Sequence, residues 1–165
     1  MTAVTTDQIG TPILIEPEDR EKLGSQLRQT VIDLTSLSLD GKQAHWHVFG
    51  YHFMSVHQQL DRIVDDTRRW TDAVAERAVA LGLLVDGRAE TVARDATASP
   101  LPPGWIPDGQ VVELMASQIE AVAARMRRWV DPMGGIDLAT QDLILDILRG
   151  LEMHLWMLQA QRVES

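Results

Sequence analysis

Residues 44–61 read AHWHVFGYHFMSVHQQLD and hold four of the five histidines of this 165-residue chain. Within and beyond this stretch, His57 and Asp61 are four residues apart, and Asp72 and Glu76 repeat that spacing. On one helix these four positions fall at about 0°, 40°, 60° and 100° around the axis, so they share one face. Imidazole and carboxylate donors in such a set suit iron, manganese or zinc.

The two pairs are too far apart to bind one metal ion within a single chain. Their centres lie 15 residues apart, which is about 22 Å along a helix. Two copies of the helix, antiparallel across a two-fold axis, bring the first pair of one chain against the second pair of the other. His45 returns beside His57 because the turn between their helices is short. The pattern therefore predicts two equivalent metal sites at a dimer interface.

Apolar residues at spacings of three and four predict an all-α protein with four long helices in one bundle. The prolines and glycines of SPLPPGWIPDG exclude a helix in that part of the long connection, whereas RAETVARDA predicts a short extra helix between helices two and three. DPMGG is expected to end the third helix. Residues 1–16 are predicted to form an extended tail and 17–165 the bundle. The predicted long helices are about 17–48, 52–81, 110–130 and 136–162.

Composition excludes several classes of protein. The chain has no cysteine, which rules out disulfides and thiolate chemistry. It has no apolar run near the roughly 18 residues that cross a bilayer and no basic, apolar leader, so a cytoplasmic protein without membrane contact is expected. The net charge of −9 favours cations over phosphates as ligands.

Residues 42–82 resemble the signature of the Dps-type miniferritins, DNA-binding proteins of starved bacterial cells within the ferritin-like superfamily. The family pattern has His-Trp at the end of helix one, then Gly, Phe-x-x-x-His, an Asp four residues later, and Asp with Glu in D-x-x-A-E-R. The matching residues are His45, Trp46, Gly50, Phe53, His57, Asp61, Asp72, Ala75, Glu76 and Arg77.

The resemblance implies a homododecameric hollow shell with ferroxidase sites of two irons at its two-fold interfaces. Asp72 and Glu76 then bind the more tightly held iron together with a partner chain's His45, and His57 with Asp61 completes the second position. The implied reaction oxidises Fe(II) to Fe(III), preferentially with hydrogen peroxide. A ferric mineral is stored inside the shell, which protects DNA from oxidative damage.

Further roles follow from the same resemblance. Trp46 is expected either to intercept stray oxidising equivalents or to pack as an aromatic at the dimer interface. Three carboxylates are expected to form an iron-entry pore at a three-fold axis, where each becomes a ring of three. The alternative for these is helix N-terminal charge and a solvated helix face. The pore residues are Asp137, Asp142 and Asp146.

The chain departs from the family pattern in two respects. Gln58 and Arg62 occupy positions where many members carry acidic nucleation residues, and Asp65 with Asp66 are candidates to replace them. Family members often bind DNA through a lysine-rich tail, whereas residues 1–19 contain neither Lys nor Arg. Direct DNA binding, with nucleoid association, therefore requires local patches or bridging cations.

Three other functions are compatible with parts of the pattern. A di-iron enzyme with its site inside one bundle uses Glu-x-x-His pairs, and the sequence has none. A nucleoid-compacting protein with a secondary metal site is disfavoured by the tail composition. A structural bundle with zinc at its interface uses the same donors, and redox turnover separates it from a ferroxidase.

Overall fold

The structure, a computed structural model, describes residues 15–161. The predicted all-α fold is confirmed: four long helices form a bundle, and a short helix lies in the long connection. The predicted tail, residues 1–16, falls almost wholly outside the described residues, so that prediction stays open. The helices are α1 (Pro17–His47), α2 (Phe53–Ala80), α3 (Ala89–Asp95), α4 (Asp108–Gly134) and α5 (Leu138–Gln159).

The core forms where the apolar stripes of the four long helices meet. The stripe of α1 predicted from the sequence is fully buried, with Leu27 and Leu34 at 0% exposure. α1 packs mainly on α2 and α4 mainly on α5, as short connections between neighbouring helices require. Trp70 of α2 packs so closely on Gly150 of α5 that a β-carbon at position 150 would overlap the indole. The face of α2 opposite the core stays available for a site.

A small sheet that the sequence did not predict fixes the turn between α1 and α2. Strand β1 (Val48–Phe49) pairs in parallel with β2 (Ile106–Pro107), and Val48 lies opposite Ile106. Both of these side chains are buried in the core. Gly50 has φ = 136°, a conformation that favours glycine, and a side chain there would collide with the Asp108 carboxylate. The end of α1 is therefore fastened to the start of α4.

Several predicted helix boundaries were wrong by a few residues. DPMGG, residues 131–135, does end the third long helix, but α4 continues through Pro132 to Gly134 rather than ending near residue 130. Pro132 lies in the last turn, and the buried Met133 beside it holds that turn against the core. The α4 helix also begins at Asp108, inside the segment SPLPPGWIPDG from which helix had been excluded. Proline at the residue before a helix is compatible with such a start.

Among residues 15–161, none of the helices is both long enough and apolar enough to span a membrane.

Candidate metal centre

Three of the predicted ligands lie together in the single chain. His45 from the last turn of α1 and His57 and Asp61 from the start of α2 bring potential donor atoms within 4.8 Å of one another. The short β1 turn folds α2 back beside α1, as predicted. His45 is buried, while His57 and Asp61 are partly exposed. The group therefore opens onto the surface of the bundle.

The backbone fixes both imidazole rings. Nδ1 of His45 lies 3.1 Å from the carbonyl oxygen of His57, and Nδ1 of His57 lies 3.0 Å from the carbonyl oxygen of His45. A carbonyl only accepts, so each Nδ1 carries a hydrogen and donates it. The rings stack at a centroid distance of 3.6 Å. Each Nε2 is thereby left as the lone-pair donor, which is the arrangement that metal-binding histidines require.

Asp61 is held by a neighbour that the sequence analysis did not identify. Lys42 Nζ donates to Asp61 Oδ1 across 2.6 Å, and His45 Nδ1 lies 3.2 Å from the same oxygen. The hydrogen bond from Lys42, assisted by the charge of His45 when protonated, lowers the pKa of Asp61. Lys42 precedes His45 by three residues on α1, so helical spacing is the signal that could have identified it. A cation that binds Asp61 must compete with this ammonium group.

Asp72 and Glu76 do not join this group within one chain. Both are exposed on α2, and neither makes a hydrogen bond or ion pair recorded within residues 15–161. They remain on the face of α2 that carries His57 and Asp61, four turns further along. The geometry agrees with the requirement that a second chain supply them, and their assignment as ligands stays a prediction.

The predicted radical trap and two other aromatic side chains of this region are exposed. Trp46 follows His45 directly and is 61% exposed, while Tyr51 and Trp105 are more exposed still. The Trp105 ring meets the edge of the His47 ring, and the neighbouring Ile106 is buried. Trp70, in contrast, lies in the core.

The three predicted pore carboxylates differ in their surroundings. Asp137 is the N-terminal cap of α5 and accepts the backbone N–H of Thr140 at 3.0 Å, and it also pairs with Arg77 of α2. Burial opposes its ionisation, but the bonds from Thr140 and Arg77 lower its pKa overall. Asp142 and Asp146 are exposed and lie one turn apart on α5. Asp146 pairs loosely with the exposed Arg149 at 3.2 Å.

The nucleation candidates also differ. Asp65 is exposed and makes no hydrogen bond or ion pair recorded within residues 15–161. Asp66 accepts from Nε2 of the buried His154 at 2.9 Å and from Arg69 at 2.9 Å. Burial raises the pKa of Asp66, but these two bonds outweigh it and lower the pKa. Of the pair, Asp65 is thus the carboxylate free to meet a cation from solution.

The donor set of this centre fits a transition metal. Two imidazole nitrogens and a carboxylate oxygen on adjacent helices suit Fe(II), and they suit Zn(II) as well. The described residues of one chain therefore bring three such donors together at one position on the surface of the bundle. Whether a second chain adds Asp72 and Glu76 to this position stays a prediction.

Comparison with known proteins identifies the class. The family described as a ferritin-like domain matches residues 24–164. The chain is 31% identical over 143 residues to "DNA protection during starvation protein 2" of Deinococcus radiodurans, an alignment that covers 87% of this chain. It spans 59% of the length of that relative.

Solved structures give the same answer. A Streptomyces coelicolor protein, DpsA14, superimposes with a TM-score of 0.86 at 33% identity and covers 91% of this chain and 89% of its own. Dps from Microbacterium arborescens, in a high iron form, superimposes with a TM-score of 0.83 at 32% identity, over 88% and 95% of the two chains. The chain therefore belongs to the ferritin-like family. Within that family it is a Dps-type miniferritin.

Proposed function

We propose that this chain is the subunit of an iron-oxidising and iron-storing cage that protects DNA from oxidative damage. The observation that carries the proposal is the His45–His57–Asp61 group, with both Nε2 atoms free, on a helix whose same face carries Asp72 and Glu76. Twelve chains form the shell, and each two-fold interface completes two sites. The ferritin-like family match and the Dps relatives support this assembly.

The proposed reaction takes Fe(II) as substrate and hydrogen peroxide as the preferred oxidant. Two Fe(II) ions at one site each give up one electron, and H2O2 accepts both and leaves as two hydroxide ions. Cleavage of the O–O bond by two electrons together releases no hydroxyl radical. Asp72 and Glu76 hold one iron with a partner chain's His45, and His57 with Asp61 holds the other more weakly. The competition of Lys42 for Asp61 supports this inequality.

Iron entry and storage use carboxylates outside this centre. We propose that Asp142 and Asp146 line the entry pore. Asp137, which is bonded to Arg77 and Thr140, fixes the start of α5 beside the opening of the pore. Asp65 is the first candidate for mineral nucleation, with Asp66 beside it. Trp46 lies next to the site and is positioned to be oxidised in place of a nucleic acid.

The decisive experiment removes the carboxylates that one chain lends to the other. Asp72→Asn and Glu76→Gln should each slow peroxide-driven Fe(II) oxidation by about 100-fold, because each variant loses a charged ligand. Substitution of residues that only hydrogen-bond to metal ligands already costs about 10–100-fold in metal affinity or activity. Glu120→Gln, which replaces an exposed carboxylate on α4 by an amide, is the matched control. Stopped-flow absorbance measures the rate, and gel filtration with mass detection shows that the shell persists. Wild-type rates in both variants would refute the site.

A second experiment distinguishes iron storage from a purely structural role with bound zinc. Fe(II) is added to the apoprotein without oxygen, peroxide is titrated in, and iron that elutes with the shell is counted. Many irons per chain indicate a storage cage, whereas none retained and no peroxide consumed would leave a structural metal site. Protection of DNA by this chemistry needs no direct contact. A gel-shift assay at low salt tests contact separately, and we expect no retardation from the tail described above.

A further inference from the structure

A polar contact outside the metal centre joins α1, α4 and the connection between α3 and α4. The amide nitrogen of Gln118 on α4 donates to Oδ2 of Asp40 on α1 and to the carbonyl oxygen of Ser99 in the connection, at 2.7 Å in each case. Asp40 precedes His45 by five residues, which places the two about 140° apart around α1. The contact therefore lies on a different face of this helix from the His45–His57–Asp61 group.

Asp40 is a carboxylate without a counter-charge. It is partly buried, and among residues 15–161 it makes no ion pair and accepts a hydrogen bond only from the neutral amide of Gln118. Burial raises the pKa of Asp40, and the bond from Gln118 opposes this rise without cancelling it. A carboxylate that has lost part of its hydration in this way is stabilised by a nearby cation.

Gln118 contributes a second oxygen that lacks a partner. The residue is only 5% exposed, and its Oε1 atom is shielded from solvent and receives no hydrogen bond from the part of the chain that the structure describes. Buried acceptors in proteins normally have a partner. Half a turn about the last side-chain bond exchanges Nε2 and Oε1, so that Oε1 takes the place beside Asp40 and Ser99.

The third oxygen is the carbonyl of Ser99. This residue is exposed and precedes Pro100, and no backbone N–H within the described range donates to its carbonyl oxygen. Residues 93–100 include no buried side chain, so the position of this part of the connection depends on hydrogen bonds to the helices. A carbonyl oxygen has two lone pairs, and the Ser99 carbonyl can therefore accept a further ligand.

We propose that Asp40, Ser99 and Gln118 form a site for a hard cation, with Ca²⁺ as the preferred ion. Carboxylate, backbone carbonyl and side-chain amide oxygens are the ligands that Ca²⁺ takes, and water completes its six to eight positions. After the amide rotates, Oε1 lies where Nε2 now lies, 2.7 Å from each of the other two oxygens. Neighbouring oxygens around a seven-coordinate Ca²⁺ are about 2.8 Å apart for Ca–O distances of about 2.4 Å. The three oxygens then have the spacing of adjacent ligands.

Gln118 has a different role in each state of this site. Without the ion, its N–H groups bridge two oxygens that would otherwise repel each other. With the ion bound, Oε1 joins these oxygens as a ligand, and the cation fastens the connection to α1 and α4. Only one of the three ligands is charged, so the dissociation constant should be roughly millimolar, as in weak calcium sites. The absence of imidazole distinguishes this site from the candidate iron centre.

Hydrogen exchange of the assembled, iron-free protein, measured by mass spectrometry, tests the site locally. Exchange is compared with and without about 10 mM Ca²⁺, which exceeds the roughly millimolar dissociation constant of such a site. A choline salt keeps the ionic strength equal without adding a second hard cation. We expect calcium to slow exchange in the segment 95–101 about tenfold, because the bound ion stabilises the closed connection.

Two variants distinguish this site from general attraction of cations. Asp40→Asn keeps an acceptor for the amide of Gln118 but removes the charge, so the protection by calcium should be lost. Glu113→Gln changes the charge equally at an exposed position of α4 and should respond like the wild type. Equilibrium dialysis should also find about one Ca²⁺ per chain fewer in Asp40→Asn than in Glu113→Gln.

Three results would overturn the proposal. If calcium leaves exchange of the segment 95–101 unchanged in the wild type, Gln118 forms only a hydrogen-bonded bridge. An equal loss of protection in Asp40→Asn and Glu113→Gln would indicate an effect of overall charge. Equal protection by Mg²⁺, which demands octahedral geometry and retains its water, would overturn the assignment to Ca²⁺. Because no iron is present, these results are independent of ferroxidase activity.

Discussion

His45 and His57 hold each other's imidazole rings through the backbone. Each Nδ1 donates to the other residue's carbonyl oxygen, at 3.1 and 3.0 Å, and the rings stack with an interplanar angle of 23°. The reciprocal pair joins the last turn of α1 to the first turns of α2, so the geometry of the two imidazole rings depends on the turn that Val48 and Gly50 maintain. Two nitrogen donors are thereby oriented within the chain itself, which would reduce the cost of ordering them on metal binding.

The first prediction concerns the tautomers of these two histidines. Both rings should carry their hydrogen on Nδ1 in the neutral form, because each Nδ1 faces a carbonyl oxygen that only accepts. Nitrogen-15 NMR of labelled protein distinguishes Nδ1–H from Nε2–H. Addition of Zn²⁺, which is diamagnetic, should then shift the Nε2 signals of His45 and His57 and leave those of exposed His52 in place. An Nε2–H tautomer at either ligand would contradict the proposed coordination.

The second prediction concerns Lys42. In Lys42→Met the apolar stem is kept and the ammonium group that occupies Asp61 Oδ1 is removed. The pKa of Asp61 should rise toward its ordinary value, and a divalent cation no longer has to displace Lys42. We expect the weaker metal position to bind Co²⁺ about tenfold more tightly, a change of about 1.4 kcal/mol. Anaerobic calorimetric titration measures both positions.

The control for this change is already present in the chain. Lys22 is the other of its two lysines, and it pairs with Glu18 and Asp19 on the exposed start of α1. Lys22→Met alters the net charge equally without touching the centre. If both variants tighten Co²⁺ binding alike, the effect comes from overall charge and not from the release of Asp61.

Helical periodicity was sufficient to predict the register of the site. The spacing of four residues between His57 and Asp61 fixes their relative direction on any helix. The short turn after Val48 places the end of α1, with His45, beside the start of α2. The same reasoning predicts that a second chain supplies Asp72 and Glu76, because the rise of the helix separates Asp72 from Asp61 within one chain.

Other features depended on information that local patterns lack. Pro132 indicated a helix end, but burial of Met133 extends α4 beyond it, because tertiary packing outweighs the lost hydrogen bond. The pairing of Val48 with Ile106 joins residues 58 positions apart, and no local signal marks it. Similarly, the hydrogen bond between the buried His154 and Asp66 joins residues 88 positions apart, and no local spacing marks it. Contacts of this range appear only once the helices are assembled.

The third prediction concerns the buried ion pair between α1 and α4. The Asp33 side chain is fully buried and accepts Arg125 Nε at 2.7 Å, together with the backbone N–H and the hydroxyl of Thr97 at 3.0 Å each. Burial lowers the pKa of Arg125, but the charge of Asp33 opposes this. Asp33→Asn leaves the guanidinium without its counter-charge in the core. We expect a loss of about 3–5 kcal/mol in the free energy of unfolding.

Urea denaturation at equal protein concentration measures this loss. The double variant Asp33→Leu with Arg125→Met removes both charges, so it should be less destabilised than Asp33→Asn alone. If the destabilisation of the double variant equalled the sum for the single variants Asp33→Leu and Arg125→Met, the two charged side chains would have no coupling energy. Asp33→Leu also removes the acceptor of the two Thr97 donors, so full recovery is not expected in the double variant.

The last prediction concerns the pH dependence that Asp137 gives to the fold. Thr140 and Arg77 lower the pKa of Asp137 in the folded chain despite its partial burial. The folded state therefore holds its proton less tightly than the unfolded state, whose carboxyl titrates near pH 3.9. The resulting stability is present above about pH 4 and is lost as the pH falls through the lowered folded-state pKa. Asp137→Asn removes this contribution.

Thermal unfolding midpoints between pH 6 and pH 2.5 test it. Asp137→Asn should melt below the wild type at pH 6, and the two curves should converge as the pH falls, because protonated Asp137 no longer pairs with Arg77. Asp142→Asn, an exposed carboxylate on the same helix, serves as the control and should run parallel to the wild type. Curves for Asp137→Asn that stay parallel to the wild type down to pH 2.5 would show that the bonds from Arg77 and Thr140 do not favour the ionised carboxylate. The cap would then act through geometry alone, and the charge of Asp137 would be free to serve the entry pore instead.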